Sequence, residues 1–530
     1  MIPQDTICAA ASSVGGGAVA IVRLSGPDAL EIAGTLVRLK RGSVSDSAAN
    51  TVRFGEILKP DGALLDQVLV SVFRAPRSYT GEDSVEIGCH SSSYIVNCIL
   101  SLLVDAGARL AGPGEFTRRA FLNGKMDLAQ AEAVADVIAA ESEAQHRVAL
   151  SQLKGGYSSE LKALRDRLVE ISALMELELD FSEEEVEFAD RGKLASLLDI
   201  CIVKIGNLVD SFREGNAIRN GVPVAIAGAP NSGKSTLLNA LLGDDRAIVS
   251  DIPGTTRDTV EETVTLNGLK LRFIDTAGIR ESVDPVEKMG MERSLEAVGK
   301  ARIIIVLLDP LSPAESIAVL KNVRSRVEDW QKVLVVLNKK DLVGNELPGT
   351  GKAAGDWVDA KGGCVGCLKG NDFNDVNGAV WISAKTGEGL DELKQSIASC
   401  CPICSEQTVV TNVRHYEALS RALANLRTVR GGLGILSCAE SVNHRSGTDG
   451  GEVDVQGLMP GETGSLVAEG GCDAQSLGSG GGEVDATSPL PTELLCEDLR
   501  AALRELGSIF GEVTTDEVLG EIFGRFCIGK

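Results

Sequence analysis

VPVAIAGAPNSGKSTLLNALLG, residues Val222 to Gly243, decides the fold. Its first seven residues form an apolar run that reads as a buried strand, and its last eight, TLLNALLG, read as a helix. Between them Gly228, Gly233, Lys234 and Ser235 satisfy G-x-x-x-x-G-K-[ST]. Strand, glycine-rich loop and helix in that order make a phosphate cradle. The glycines let backbone amides approach the anion, Lys234 neutralises β and γ oxygens, and Ser235 offers a hydroxyl to magnesium. Asn231, Ser232 and Thr236 belong to the same nucleotide-binding loop.

Downstream, LRFIDTAG, IIIVLLD, VLVVLN and AVWIS are further near-continuous apolar runs, so this part of the chain is predicted to be an α/β domain with a doubly wound parallel sheet. The motifs fall at the ends of these runs. In NKKD, Asn338 can hydrogen-bond beside a base and Asp341 can accept from guanine N1 and N2, a donor pair that adenine lacks; Lys339 lies between them. Ser383, Ala384 and Lys385 follow the last run and suit a loop whose backbone amide contacts guanine O6. Asp275, Thr276, Ala277 and Gly278 form DTAG, with Asp275 able to hold magnesium through water and Gly278 facing the γ-phosphate. The next residue is Ile279, where Ras-type enzymes carry a glutamine that orients the attacking water. Hydrolysis must therefore be arranged otherwise. Two means are open: a monovalent cation held by the Asn231 amide oxygen, or an acid beyond DTAG that positions water.

At 530 residues the chain exceeds one compact core, and three or so domains are expected. The boundaries read as an α+β domain at 1–120, a helical part at 121–215, the nucleotide domain at 216–400, and a second helical part at 401–530. The β-like runs AVAIVRLSG, QVLVSVF and SVEIGCH, with one helical run near Tyr94 to Val104, define the first. Leu161, Leu164, Leu168, Ile171 and Met175 step by three and four, as a helix packing stripe does. Residues 345–378 and 436–490 are rich in glycine and acids, the second carrying GGEVD twice, and both are expected to be flexible additions.

The chain has 44% hydrophobic and 24% charged residues, suiting soluble globular domains, and its net charge of −23 argues against nonspecific nucleic-acid binding by the whole surface. It offers no run of eighteen apolar residues and no basic-then-apolar start, so neither membrane span nor signal peptide is indicated, and the expected location is cytoplasmic. Its 13 cysteines then read as reduced core residues or reactive thiols. Cys364-x-x-Cys367 and Cys401-x-x-Cys404 have zinc-like spacing but are taken as incidental thiols.

With DIPGTTRD at Asp251 to Asp258 added, the whole combination resembles the tRNA-modifying GTPase family MnmE, also called TrmE, of the TrmE-Era-EngA-like class. What the resemblance implies is specific. Asn231, the main-chain oxygens of Ser250 and Ile252, and Thr255 would hold potassium, within a loop that includes Asp251, Pro253 and Gly254. Thr256 would join Ser235 on magnesium, and DTAG-x-R-x(6)-E selects Glu287 to orient water. Arg23, Glu86 and Lys125 match contacts to 5-formyl- or methylene-tetrahydrofolate, the one-carbon donor, with Lys530 nearby and Cys527 required for modification. The implied assembly is a homodimer acting with a flavoprotein, MnmG or GidA, which carries FAD, in a heterotetramer or larger. Its implied product is tRNA carrying an aminomethyl or carboxymethylaminomethyl group at C5 of wobble uridine U34. A competing reading is a ribosome-assembly or signalling GTPase whose first domain is an adaptor, since such proteins share GxPNxGKS and NKxD.

Overall fold

The computed structural model describes residues 5–12, 17–180, 191–243, 262–274, 296–343, 379–400, 408–433, 491–512, 515–524 and 526–529. Both expected additions, the two CxxC pairs except for their surroundings, and the acidic run Glu183 to Glu187 lie outside these residues. The chain divides into two compact units: Met1–Arg165, Gly206–Ser420 and Arg504–Lys530 form the first, Asp166–Ile205 and Arg421–Leu503 the second.

The first unit begins with a seven-stranded sheet: β1 (Ile7–Ala10), β2 (Val19–Ser25), β3 (Val37–Leu39), β4 (Thr51–Leu58), β5 (Leu64–Phe73), β6 (Ser84–His90) and β7 (Arg109–Leu110). Their spatial order is β3-β4-β5-β6-β2-β1-β7, antiparallel except for β1 beside β7. Every second residue of β2, β5 and β6, such as Val22, Val70 and Ile87, is buried under α1 (Ala29–Leu36) and α2 (Ser93–Asp105). The opposite face is covered at β1, where Ile7 and Ala9 are buried with Phe116, but among the described residues it is open farther along the sheet. There Phe54, Leu69, Gly88 and Ile21 stand in one row across four strands, and the three side chains are 43%, 54% and 37% exposed. Long apolar side chains in water on a sheet face are unusual for an isolated domain.

Three helices follow, α3 (Glu115–Leu122), α4 (Leu128–Ala139) and α5 (Glu143–Leu153). Asp127 with Gln130 and Ser142 with Gln145 make capping boxes that start α4 and α5, each side chain satisfying one backbone amide that the first turn would leave open. Two long helices, α6 (Gly156–Asp180) and α7 (Arg191–Asn220), lead to the next sheet. In α6 the stripe Leu161, Leu164, Leu168, Ile171 and Met175 is buried at 2% exposure or less, as its spacing predicts. Within the second unit, Arg430 pairs with Asp199 at 2.8 Å and Arg500 with Glu176 at 2.9 Å.

The second sheet of the first unit consists of β8 (Val222–Gly228), β9 (Glu262–Leu266), β10 (Leu269–Phe273), β11 (Ile303–Leu308), β12 (Lys332–Leu337) and β13 (Val380–Trp381), ordered β13-β12-β11-β8-β10-β9. All neighbours are parallel except the β9–β10 hairpin. Residues of β11 alternate between two cores: Ile303, Ile305 and Leu307 on one face with α8 (Lys234–Gly243), Ile304, Val306 and Leu308 on the other. Burial on both faces is why these strands read as unbroken apolar runs. β9 escapes that reading because ETVTL is half polar and lies at the sheet edge.

A buried polar knot holds the helical segments of this unit. Glu132 of α4 accepts from Arg414 at 3.0 and 3.1 Å and lies 2.7 Å from His415 Nε2, while Arg414 also donates to the Ser508 carbonyl at 2.9 Å. Burial alone would raise the Glu132 carboxyl, but the charge and hydrogen bonds of His415 and Arg414 outweigh it and hold it at about 2. Among the described residues, no helix is long and apolar enough to cross a membrane.

Candidate functional site

The carboxyl ends of β8, β11, β12 and β13 point the same way because these strands are parallel, and the loops after them meet at one edge. From β8 the chain turns through Asn231, at φ 60°, and Gly233, at φ 99°, before α8 begins at Lys234. Asparagine is one of the few side chains that tolerates the left-handed region. Gly233 is there for space as well: a Cβ on it would lie 2.3 Å from Asn338 Nδ2. Asn231 and Thr236 are exposed and Ser232 is fully buried.

Asn338 ties the loops together. Its Nδ2 donates to the Ser232 carbonyl of the phosphate loop at 2.8 Å, and its Oδ1 accepts from the Ala384 amide at 3.0 Å. It is 3% exposed, so losing it would strand both groups, at about 1–3 kcal/mol each. Ser383 Oγ donates to Asp341 Oδ1 at 2.7 Å, which holds an otherwise exposed carboxylate in place. Lys385 is exposed next to it. Three motifs, 106 and 46 residues apart at these contacts, thereby become one structure.

Lys234 donates from Nζ to the Gly228 and Ala229 carbonyls, both at 2.9 Å, and burial lowers its pKa. A partly desolvated ammonium inside a turn of backbone amides fits an anionic phosphate, which would restore the favourable environment of its charge. Ser235, one residue on, fits the hydroxyl role toward a divalent cation. Ser250, Asp251, Ile252, Pro253, Gly254, Thr255, Thr256, Asp275, Thr276, Ala277, Gly278 and Glu287 lie outside the described residues.

The sequence reading missed Asp309. This residue follows β11, is 5% exposed, and pairs through Oδ2 with Lys339 Nζ at 2.6 Å. Lys339 sits at φ 64°, a costly conformation for a long side chain, and the ion pair helps fix it there. An acid ending an apolar strand on the same edge as the phosphate loop is the signal that could have found it.

On the first sheet, Arg23 of β2 and Glu86 of β6 are register partners, and they pair side by side at 2.8 and 2.9 Å. The Arg23 guanidinium also faces the rings of Tyr79 at 5.3 Å and Phe116 at 5.6 Å. Both charged side chains are about a fifth to a quarter exposed, where the covered end of this sheet face meets the open row. A donor fork beside a carboxylate suits a ligand with acidic and amino-heterocyclic parts, as a folate has. Lys125 lies against the loop that carries Tyr79, donating to the Pro76 carbonyl at 2.9 Å and passing beside Gly81. Tyr79, whose hydroxyl shares a hydrogen bond with Thr117 at 2.9 Å, was not legible as part of this site because it comes from a loop. Cys527 is an exposed free thiol on a tail held by the Pro113–Ile528 bridge and by the Gly114 amide, which donates to the Cys527 carbonyl at 3.4 Å; Lys530 lies outside the described residues.

Two family models match: the GTP-binding protein TrmE N-terminus over residues 6–125 and the MnmE helical domain over residues 128–440. The chain is 43% identical to the tRNA modification GTPase MnmE of Bacteroides fragilis, covering 99% of this chain and 100% of that one. It is 40% identical to the protein of the same description from Flavobacterium johnsoniae, over 100% of both. A solved structure of Aquifex aeolicus Era Y63A bound to GDP.AlF4- matches 41% of this chain and 68% of that chain at 25% identity, with a TM-score of 0.24. With a phosphate loop, a guanine-type Asn-Lys-x-Asp loop and full-length likeness to these relatives, the chain belongs to the tRNA modification GTPase family MnmE and is a GTP hydrolase.

Proposed function

We propose that this protein is a potassium-activated GTPase which, with the FAD-carrying flavoprotein MnmG, installs an aminomethyl or carboxymethylaminomethyl group at C5 of wobble uridine in tRNA. The observation that carries the nucleotide half is the Asn338 bridge, which joins the phosphate loop to the Ser383–Lys385 loop and leaves Asp341 facing outward, anchored by Ser383. Asp341 selects guanine through N1 and N2, the backbone amides and Lys234 bind the phosphates, and Ser235, Thr256 and Asp275 hold magnesium. Asn231, with the main-chain oxygens of Ser250 and Ile252 and with Thr255, holds potassium. Bound there, the two cations neutralise charge that builds on the phosphates during cleavage. Glu287 orients the attacking water, a role that Ile279 lacks the atoms to fill.

The folate half rests on Arg23, Glu86 and Lys125, with Lys530 and the Cys527 thiol on the tail. A tetrahydrofolate bound there supplies the one-carbon unit. The uncovered row Phe54, Leu69 and Ile21, beside the Arg23–Glu86 pair, supports a homodimer that joins these sheets. The acidic chain, at net charge −23, leaves most of the tRNA contact to the partner. The test is mass spectrometry of tRNA nucleosides from a strain lacking the protein. Loss of the C5-modified wobble uridine supports the reading; unchanged nucleosides would favour the ribosome-assembly alternative.

A further inference from the structure

We infer that α5 transmits the nucleotide state of the parallel sheet to the rest of the first compact unit, with Gln145 and Gln152 as its positioning residues. The inference rests on the GTPase reading and adds to it the route by which hydrolysis is felt outside the nucleotide site.

At its amino end α5 meets the β9–β10 hairpin. Leu266 pairs with Leu269, so the turn is the two residues Asn267 and Gly268, at φ 48° and 78°, as an Asn-Gly type I′ turn requires. The Ala144 amide of α5 donates to the Gly268 carbonyl at 3.1 Å, and Lys270 pairs with Glu141 at 2.7 Å. A Cβ on Gly268 would press on Glu143 at 3.3 Å, so the contact is close as well as polar. In the chain, β9 follows the DIPGTTRD segment and β10 runs directly into DTAG. The hairpin is therefore the covalent link between the segment assigned to the cations and the one assigned to face the γ-phosphate.

The rest of α5 grips both chain crossings of the nucleotide domain. Gln145 accepts at Oε1 from the Glu141 and Ser142 amides, at 2.8 and 3.1 Å, and donates from Nε2 to the Arg219 carbonyl at 2.9 Å, just before β8. Two turns on, Gln152 donates to the Val409 carbonyl at 3.1 Å and to Thr411 Oγ1 at 3.2 Å, where the chain has returned from β13. Both glutamines are 8% exposed, and seven residues in a helix bring them to the same face. Buried hydrogen bonds to specific carbonyls fix register in a way that apolar packing does not.

Beside these contacts lies a solvent-open pocket of about 210 Å³, lined by Asp136, Val148, Ala149, Ile218, Arg219 and Thr411. It leaves α5 room to shift with the hairpin, in the manner of interfaces that have two discrete arrangements.

Hydrogen exchange on the full chain tests this, comparing the GDP form with a non-hydrolysable GTP analogue. Exchange in α5 and at Val409–Thr411 should differ between the two nucleotides by about fivefold or more. Gln152→Ala should keep the difference in α5 and lose it at Val409–Thr411, while Gln145→Ala should reduce it at both. If the phosphate-loop amides are protected but α5 exchanges alike in both forms, or if Gln152→Ala leaves the Val409–Thr411 difference at its original size, α5 is not the transmitter. Absence of phosphate-loop protection by either nucleotide would instead overturn the GTPase reading beneath it.

Discussion

The two sheets of the first unit differ in their strands: one is closed on both faces and built on apolar runs, the other alternates and keeps part of one face open among the described residues. β11 buries all six of its residues between two helical layers, whereas β2 buries alternate residues and leaves Val19 66% and Ile21 37% exposed. The parallel sheet finishes its burial within one chain, so its function is confined to one edge, where the loops emerge. The antiparallel sheet does not among the described residues: its charged pair Arg23–Glu86 sits under Tyr79 and Phe116, and beyond it on the same face the apolar row stays exposed. One sheet completes its burial within the described residues, and the other keeps an apolar row exposed, which is where the proposed homodimer would join.

The largest effect should come from breaking the closed sheet. Ile305→Ala removes a fully buried side chain and should cost about 3–4 kcal/mol in chemical unfolding, against about 0.5 kcal/mol or less for Leu69→Ala in the dilute protomer. Equal costs would erase the distinction between the sheets.

Next comes acid sensitivity of the helices between them. The Glu132 carboxyl is held at about 2 in the folded chain and titrates near 4.5 when exposed, so its contribution is present above pH 4.5 and is lost as pH falls toward 2. The shift is worth up to about 3 kcal/mol. Unfolding midpoints of the chain and of Glu132→Gln should therefore differ most near pH 6 and converge only as pH falls toward about 2.

At the nucleotide edge, Asp341→Asn should weaken GTP binding about a hundredfold, the scale of a charged hydrogen-bond pair, while xanthosine triphosphate, which carries an oxygen where guanine has its amino group, should gain. Calorimetry reads both. Smallest is the open sheet: Phe54→Lys should weaken self-association about tenfold or more in sedimentation, leaving Asp341-dependent nucleotide binding as it was. Unchanged association would detach the apolar row from dimer formation.

The parallel sheet was legible because each buried strand is a continuous apolar word followed by its motif, as in VLVVLN-KKD. β9 was not, since an edge strand such as ETVTL carries no such run, although the Asn-Gly at 267–268 marks the hairpin for a reader who looks for turns. Asn338 was read as a base contact, but its service as a brace between Ser232 and Ala384 depends on three loops converging, which spacing cannot express. Asp309 and Tyr79 were missed for the same reason: each acquires its partner, Lys339 or Arg23, only through folding. Arg23 and Glu86 came from the family resemblance, and their direct pairing is a property of β2–β6 register.

The account turns on how the terminal phosphate is cleaved without a glutamine after DTAG. GTP turnover by the full chain, measured in potassium and then in sodium at equal ionic strength, tests this directly. Turnover about tenfold or more faster in potassium, with the difference abolished in Asn231→Ala while nucleotide still binds, is the predicted result. Equal turnover in both salts, with normal binding, would contradict it.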